Sequence, residues 1–210
     1  TAPCPGNIVA RTCDIGTTEG RAALLAALPP DAAVRLLLQN AAIGDPSPLS
    51  GLDVHHFEEA LRVNVVAPLA LFQALIPHLQ RGKGRVLQLG TSVAFHPQAG
   101  TATYGITKMA FHRLYQQLNA EGLGVAVGSL SPGMVDTEGV RDHMAKARAL
   151  GLPHVKFFDE AFAKQADTPV HELMQLVDEL IEMDEAQFSE REWRFSDWRA
   201  ERAKTRAYSD

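Results

Sequence analysis

The chain has almost no cysteine, no block of basic residues and no unbroken apolar run of membrane length. Each shortage excludes something. Cys4 and Cys13 are the only two cysteines, too few for a disulfide framework or a cysteine zinc site, and a reducing cytoplasmic compartment is expected. The formal net charge is −5 with lysine and arginine dispersed, which argues against nucleic acid as a partner. Pro, Asn, Gln or Arg interrupts every apolar stretch before about 20 residues, so no membrane partner is expected. The N-terminus lacks the charged region and apolar core of a signal peptide. His55, His56, His143, His154 and His171 show no metal-ligand spacing. They are expected to be ordinary surface or substrate-loop histidines, and no metal is expected. Ser92 has no Gly-x-Ser-x-Gly turn around it and no assignable histidine and acid, so a serine hydrolase is a poor reading.

What is present is a globular composition, 46% apolar and 21% charged, over a length suited to one domain. Apolar runs at 34–40, 85–90 and 125–130 read as strands buried on both faces. A short strand is predicted over 8–14 and a last one over 185–197. Helices are predicted over 21–28 (capped by Thr17 or Thr18), 52–61, 63–79, 104–120 and 171–183. Residues 138–170 read as a lid carrying Phe157 and Phe158. The charged tail from Trp198 is predicted to be exposed. Strand–helix alternation argues for an α/β fold, a Rossmann-like parallel sheet with helices on both faces, and ligands then sit beyond the carboxyl ends of the strands. Asn40, Ser92 and the Pro132-Gly133 pair all fall at such ends.

The most informative stretch runs from Ser92 to Lys108. Tyr104 and Lys108 stand one helical turn apart, on one face. An ammonium beside a phenol favours the phenolate, so a lowered Tyr104 pKa is predicted. A tyrosine so tuned exchanges a proton with a carbonyl or alcohol, and Ser92 reaches the same oxygen.

Ser92 before Tyr104-x-x-x-Lys108, Asn40-Ala41 after an upstream strand, Asn64 in the helix between, and Pro132-Gly133 after the next strand occur in an order that resembles the short-chain dehydrogenase/reductase family. The resemblance implies an NADP-dependent oxidoreductase (NAD possible) acting on a small-molecule carbonyl. It implies a catalytic set of Ser92, Tyr104, Lys108 and Asn64. It also implies cofactor contacts from Asp14, Asn40, Ala41, Tyr104, Lys108, Pro132, Gly133, Val135 and Thr137. The Ser131–Thr137 segment and the region around Glu190–Phe195 look most like the sepiapterin reductase and benzil reductase branch, which implies a ketone or diketone. A homodimer or homotetramer through helices 63–79 and 104–120 is the family expectation.

One family feature is not found. The Thr-Gly-x-x-x-Gly-x-Gly turn that holds the pyrophosphate at a helix N-terminus has no match. Residues 8–14 then read as the family's third strand, and two strand–helix units, roughly fifty residues, are unrepresented. The strand at 34–40 would expose an apolar edge. Three remedies follow: a longer real protein, direct pairing of 8–14 with 34–40, or cover by another chain. Because the chain begins with Thr, the first is favoured. A domain over 1–197 with a tail over 198–210 is the expected organisation. The alternative function is a non-catalytic interaction protein on a truncated reductase scaffold that no longer binds cofactor.

Overall fold

The computed structural model describes residues 8–207 apart from residue 165. Four strands, β1 (Leu36–Gln39), β2 (Arg85–Leu89), β3 (Ala126–Ser131) and β4 (Glu192–Arg194), form one parallel sheet in the order β1-β2-β3-β4. Around it lie α1 (Thr18–Ala26), α2 (Val54–Leu61), α3 (Ala67–Gly82), α4 (Ala102–Ala120), α5 (Glu138–Ala149), α6 (Val155–Ala163), α7 (Val170–Glu182), α8 (Glu185–Ser189) and α9 (Phe195–Ala207). Parallel neighbours require a crossover, and the crossovers cover both faces. Val86 and Val127 pack against Phe72, Leu75 and Leu79 of α3 and Tyr115 and Leu118 of α4. Leu87 and Leu130, on the opposite face, meet Leu176 and Leu180 of α7 and Phe188 of α8. This two-sided burial is why these strands read as continuous apolar runs. Each wholly buried leucine contributes about 1.5–3 kcal/mol.

The segment 54–82 is one helical run interrupted by a π turn, Arg62–Val66. Pro68 has no N–H to give the Asn64 carbonyl four residues back, and the helix widens there, with Ala67 N–H donating to the Arg62 carbonyl. The predicted helix at 63–79 is therefore the second half of a longer one. By length and composition it could cross a bilayer. Here Ala67, Leu71, Phe72, Leu75 and Leu79 are buried inside the protein.

Three expectations need correction. Residues 8–14 form no strand and pair with nothing in the sheet; Ile8 and Val9 are 86% and 65% exposed. A short apolar segment without a neighbouring strand has no ladder to join. Direct pairing of 8–14 with 34–40 is thereby excluded. β1 has β2 on one side and, among the described residues, no strand on the other, and its Leu38 is 43% exposed. Second, the last strand is only Glu192–Arg194, with helices on both sides. Third, Trp198 does not begin an exposed tail. It lies in α9, buried with Phe195 against α7, and its indole N–H donates to Glu179 at 2.7 Å. Arg199 and Arg202 pair with Glu172 and Glu179 of α7.

Candidate active site

The carboxyl ends of β1, β2 and β3 open into one cleft of about 780 Å³. Asn40 enters it just beyond β1, Thr91 and Ser92 beyond β2, and Ser131 from the end of β3. Tyr104, in the first turn of α4, faces the same space. Gly133, Val135 and Thr137 come from the turn between β3 and α5, and Phe157 and Phe158 from α6. Six of the residues expected at the site thus converge: Asn40, Ser92, Tyr104, Gly133, Val135 and Thr137.

The others stand behind or away from the cleft. Asn64 is 1% exposed; its Oδ1 accepts from the Ile43 N–H at 2.8 Å, and its Nδ2 donates to the Ile43 carbonyl at 2.7 Å and Thr107 Oγ1 at 2.8 Å. It clamps the loop after β1 onto α4. Ala41 does not line the cleft, but Ala42 does. Asp14 lies at the entrance to α1, where its Oδ1 accepts from the Gly16 N–H at 2.8 Å, and it does not reach the cleft. Pro132 sits one residue outside it, its carbonyl accepting from Thr168 Oγ1 at 2.7 Å.

Lys108 is 3% exposed, and its Nζ donates to the Leu89 carbonyl at 2.9 Å. Burial lowers its pKa to about 8. The ammonium lies 5.6 Å from the centre of the Tyr104 ring and 5.0 Å from that of Phe111. The predicted lowering of the Tyr104 pKa is not seen. Burial raises it, because the phenolate loses more solvation than the phenol. Lys108 is turned onto a backbone carbonyl, so its charge does not offset that loss.

Thr91 and Thr168 carried no clear sequence signal, and packing explains the expected Gly133 and the small Gly44. Thr91 presents a second hydroxyl beside Ser92. Thr168 holds the Pro132-Gly133 turn through the Pro132 carbonyl and a backbone bond to Met134. Gly133 has φ +76°, and a Cβ there would lie 2.7 Å from Thr168 Oγ1. Gly44, in the run of small residues after β1, lets that loop touch Tyr104: a Cβ would sit 2.9 Å from the Tyr104 Cβ.

Tyr104 thus faces a cleft at the carboxyl edge of a parallel sheet. The family model for short chain dehydrogenase matches residues 3–148. The chain belongs to the short-chain dehydrogenase family. Within this family it is 36% identical over 94 residues to an uncharacterized oxidoreductase of Staphylococcus epidermidis, covering 43% of this chain and 41% of that one. It is 30% identical over 137 residues to dehydrogenase/reductase SDR family member 4 of Homo sapiens, covering 62% and 49%. Among solved structures it resembles a 3-oxoacyl (acyl-carrier-protein) reductase of Agrobacterium tumefaciens with NADP bound, at 27% identity and TM-score 0.56, covering 65% and 54%. This short-chain dehydrogenase chain thus spans less than half the length of the two curated relatives.

Proposed function

We propose that the protein is an NADP(H)-dependent oxidoreductase that interconverts a ketone or diketone and its alcohol, with Tyr104 passing the proton. The observation that carries this is the opening of the Tyr104 phenol into the cleft formed by three strand ends. NADP in the Agrobacterium relative supports the choice of cofactor. The residues fit the nicotinamide end: Asn40, Gly133, Val135 and Thr137 line the cleft, and Gly133 brings bare backbone to its wall. They do not supply a pyrophosphate cradle among the described residues. Gly20, which closes the nearest Gly-x-x-x-Gly, is used for packing, since a Cβ there would overlap the Asp14 carbonyl.

When bound, the nicotinamide supplies or accepts a hydride. The chain's own residues handle the oxygen. Ser92, with Thr91 beside it, orients the carbonyl by hydrogen bonding. Tyr104, kept as the phenol by its raised pKa, donates the proton in reduction. Lys108 keeps a cation 5.6 Å from the centre of the Tyr104 ring while its Nζ donates to the Leu89 carbonyl. Asn64 holds the loop after β1 in place. Phe157 and Phe158 offer an apolar wall suited to an aryl or alkyl ketone. The exposed Val66, Ile106 and Met109 are proposed to lie in a homodimer or homotetramer interface.

Tyr104→Phe tests the reading. Turnover should fall by a factor of about 10²–10⁴ with the circular dichroism spectrum unchanged. A second reading, a non-catalytic interaction protein, is favoured by one observation, the outer edge of β1, which no strand covers among the described residues. It predicts no cofactor binding at all.

A further inference from the structure

The walls of the cleft differ in charge. Asn40, Gly133, Val135 and Thr137, which fit the nicotinamide, carry none. The loop after β1, α2 and α5 contribute Asp45, Glu59 and Asp142 to the lining. Among the described residues no lysine or arginine lines the cleft. Lys146, which does not line it, pairs with Asp45 at 2.9 Å and with Asp142 at 3.0 Å, one cation for two carboxylates. The partner of Glu59 is His56 Nδ1, 3.5 Å away. His56 Nε2 accepts from the Asp45 N–H at 3.1 Å, and an accepting ring nitrogen carries no proton, so this ring is neutral. His143, next to Asp142, is held below its ordinary pKa by burial and adds no charge at neutral pH. Three carboxylates with one lysine shared between them leave the mouth of the cleft negative.

The second observation is aromatic and independent of those charges. Phe157 and Phe158 stand edge to face with ring centres 5.7 Å apart, and the Phe158 ring lies 6.2 Å from that of His143. Phe157 is 59% exposed while it lines the cleft. The face of an aromatic ring is the negative part of its quadrupole and attracts cations, alkylated ammonium groups among them. Acidic and aromatic residues both lie near Tyr104, since Asp45 follows Gly44, which packs against the tyrosine, and His143 follows Asp142.

We propose that the ketone taken by this cleft carries a cationic alkylammonium group, attracted by Asp45, Glu59 and Asp142 and by the rings of Phe157 and Phe158. The ketone rests on the reductase reading, and the preference for positive charge rests on the lining alone. A ketone bearing a carboxylate or phosphate meets no cation in this lining and is disfavoured. The three carboxylate side chains are 55–59% exposed, so they stand at the mouth and not on the floor. Attraction there is modest and weakens with salt. Its role is to select among ketones, while Tyr104 and Ser92 handle the oxygen.

The test uses two aryl ketones of one shape, the first ending in a trimethylammonium group and the second in its neutral isostere, tert-butyl, with a third ending in a carboxylate. Binding of each to the full chain with NADPH present is measured by calorimetry, and turnover by NADPH consumption. In low salt the ammonium ketone should bind about five- to tenfold more tightly than the tert-butyl ketone, and the carboxylate ketone more weakly than either. Glu59→Gln should shrink the first ratio by about two- to fivefold, and Phe157→Leu should shrink it as well. Glu59 and Phe157 are exposed, so neither substitution threatens the fold. Equal affinity for the two isosteres, no binding of the ammonium ketone, or a ratio that Glu59→Gln leaves unchanged would overturn the inference. Tighter binding of the ammonium ketone with no NADPH consumed on any of the three would uphold the charge preference and refute the reductase reading.

Discussion

Lys108 shows how a residue can be legible as a partner and illegible in its effect. Its spacing from Tyr104 is plain in the sequence, and both lie on the sheet-facing side of α4. The direction of the tyrosine shift was not legible, because it depends on where Nζ points, and Nζ goes to the Leu89 carbonyl. Two outcomes follow from a lysine held at about 8. In reduction, Tyr104 stays protonated as pH rises while Lys108 loses its charge, so kcat should fall above about pH 8, read from a pH–rate profile. For stability, the folded-state pKa is the lowered one, so the unfolded chain binds more protons between pH 8 and its own higher pKa. Stability must then rise with pH across that window. Lys108→Met should lack this rise, as measured by urea unfolding at pH 7 and pH 10. Asn64 was legible as a helix asparagine but not as a loop clamp, since Ile43 is twenty-one positions away. Asn64→Ala strands the Ile43 backbone groups and should cost about 1–3 kcal/mol in the same assay.

At the scale of elements, periodicity identified the central parts best. β2 and β3 and the helices α3, α4 and α7 are long, strongly patterned, and packed on at least one full face. The misreadings fall at the periphery. Residues 8–14 look like a strand only if a neighbour is assumed. The Glu185–Asp197 region mixes three short elements whose identity is decided by tertiary contacts: Phe188 fills the space over Gly128, and Phe195 and Trp198 fill that beside α7. Charge density hid α9, because Arg199 and Arg202 are exposed while Phe195 and Trp198 are buried. Trp198→Ala should therefore destabilise the domain by about 3–5 kcal/mol, visible as a lowered thermal midpoint, whereas an exposed tail would leave the midpoint unchanged.

For the whole molecule, the decisive feature is an asymmetric sheet. One edge ends in the short β4, capped by α8 and α9. The other, β1, has no neighbouring strand on its outer side among the described residues, and its Leu38 is 43% exposed. Such an edge invites association, and Leu38→Lys should reduce concentration-dependent self-association in sedimentation experiments. Tyr104, Ser92 and the Pro132-Gly133 turn are built from β2, β3 and their following elements, and Asn40 with the loop after β1 supplies the remaining wall of the cleft. The most direct measurement of the central claim is NADPH consumption by the purified chain on addition of an aryl diketone. The account predicts NADPH binding and consumption that depends on the diketone. A chain that binds no NADPH, or consumes none with the diketone present, would contradict it.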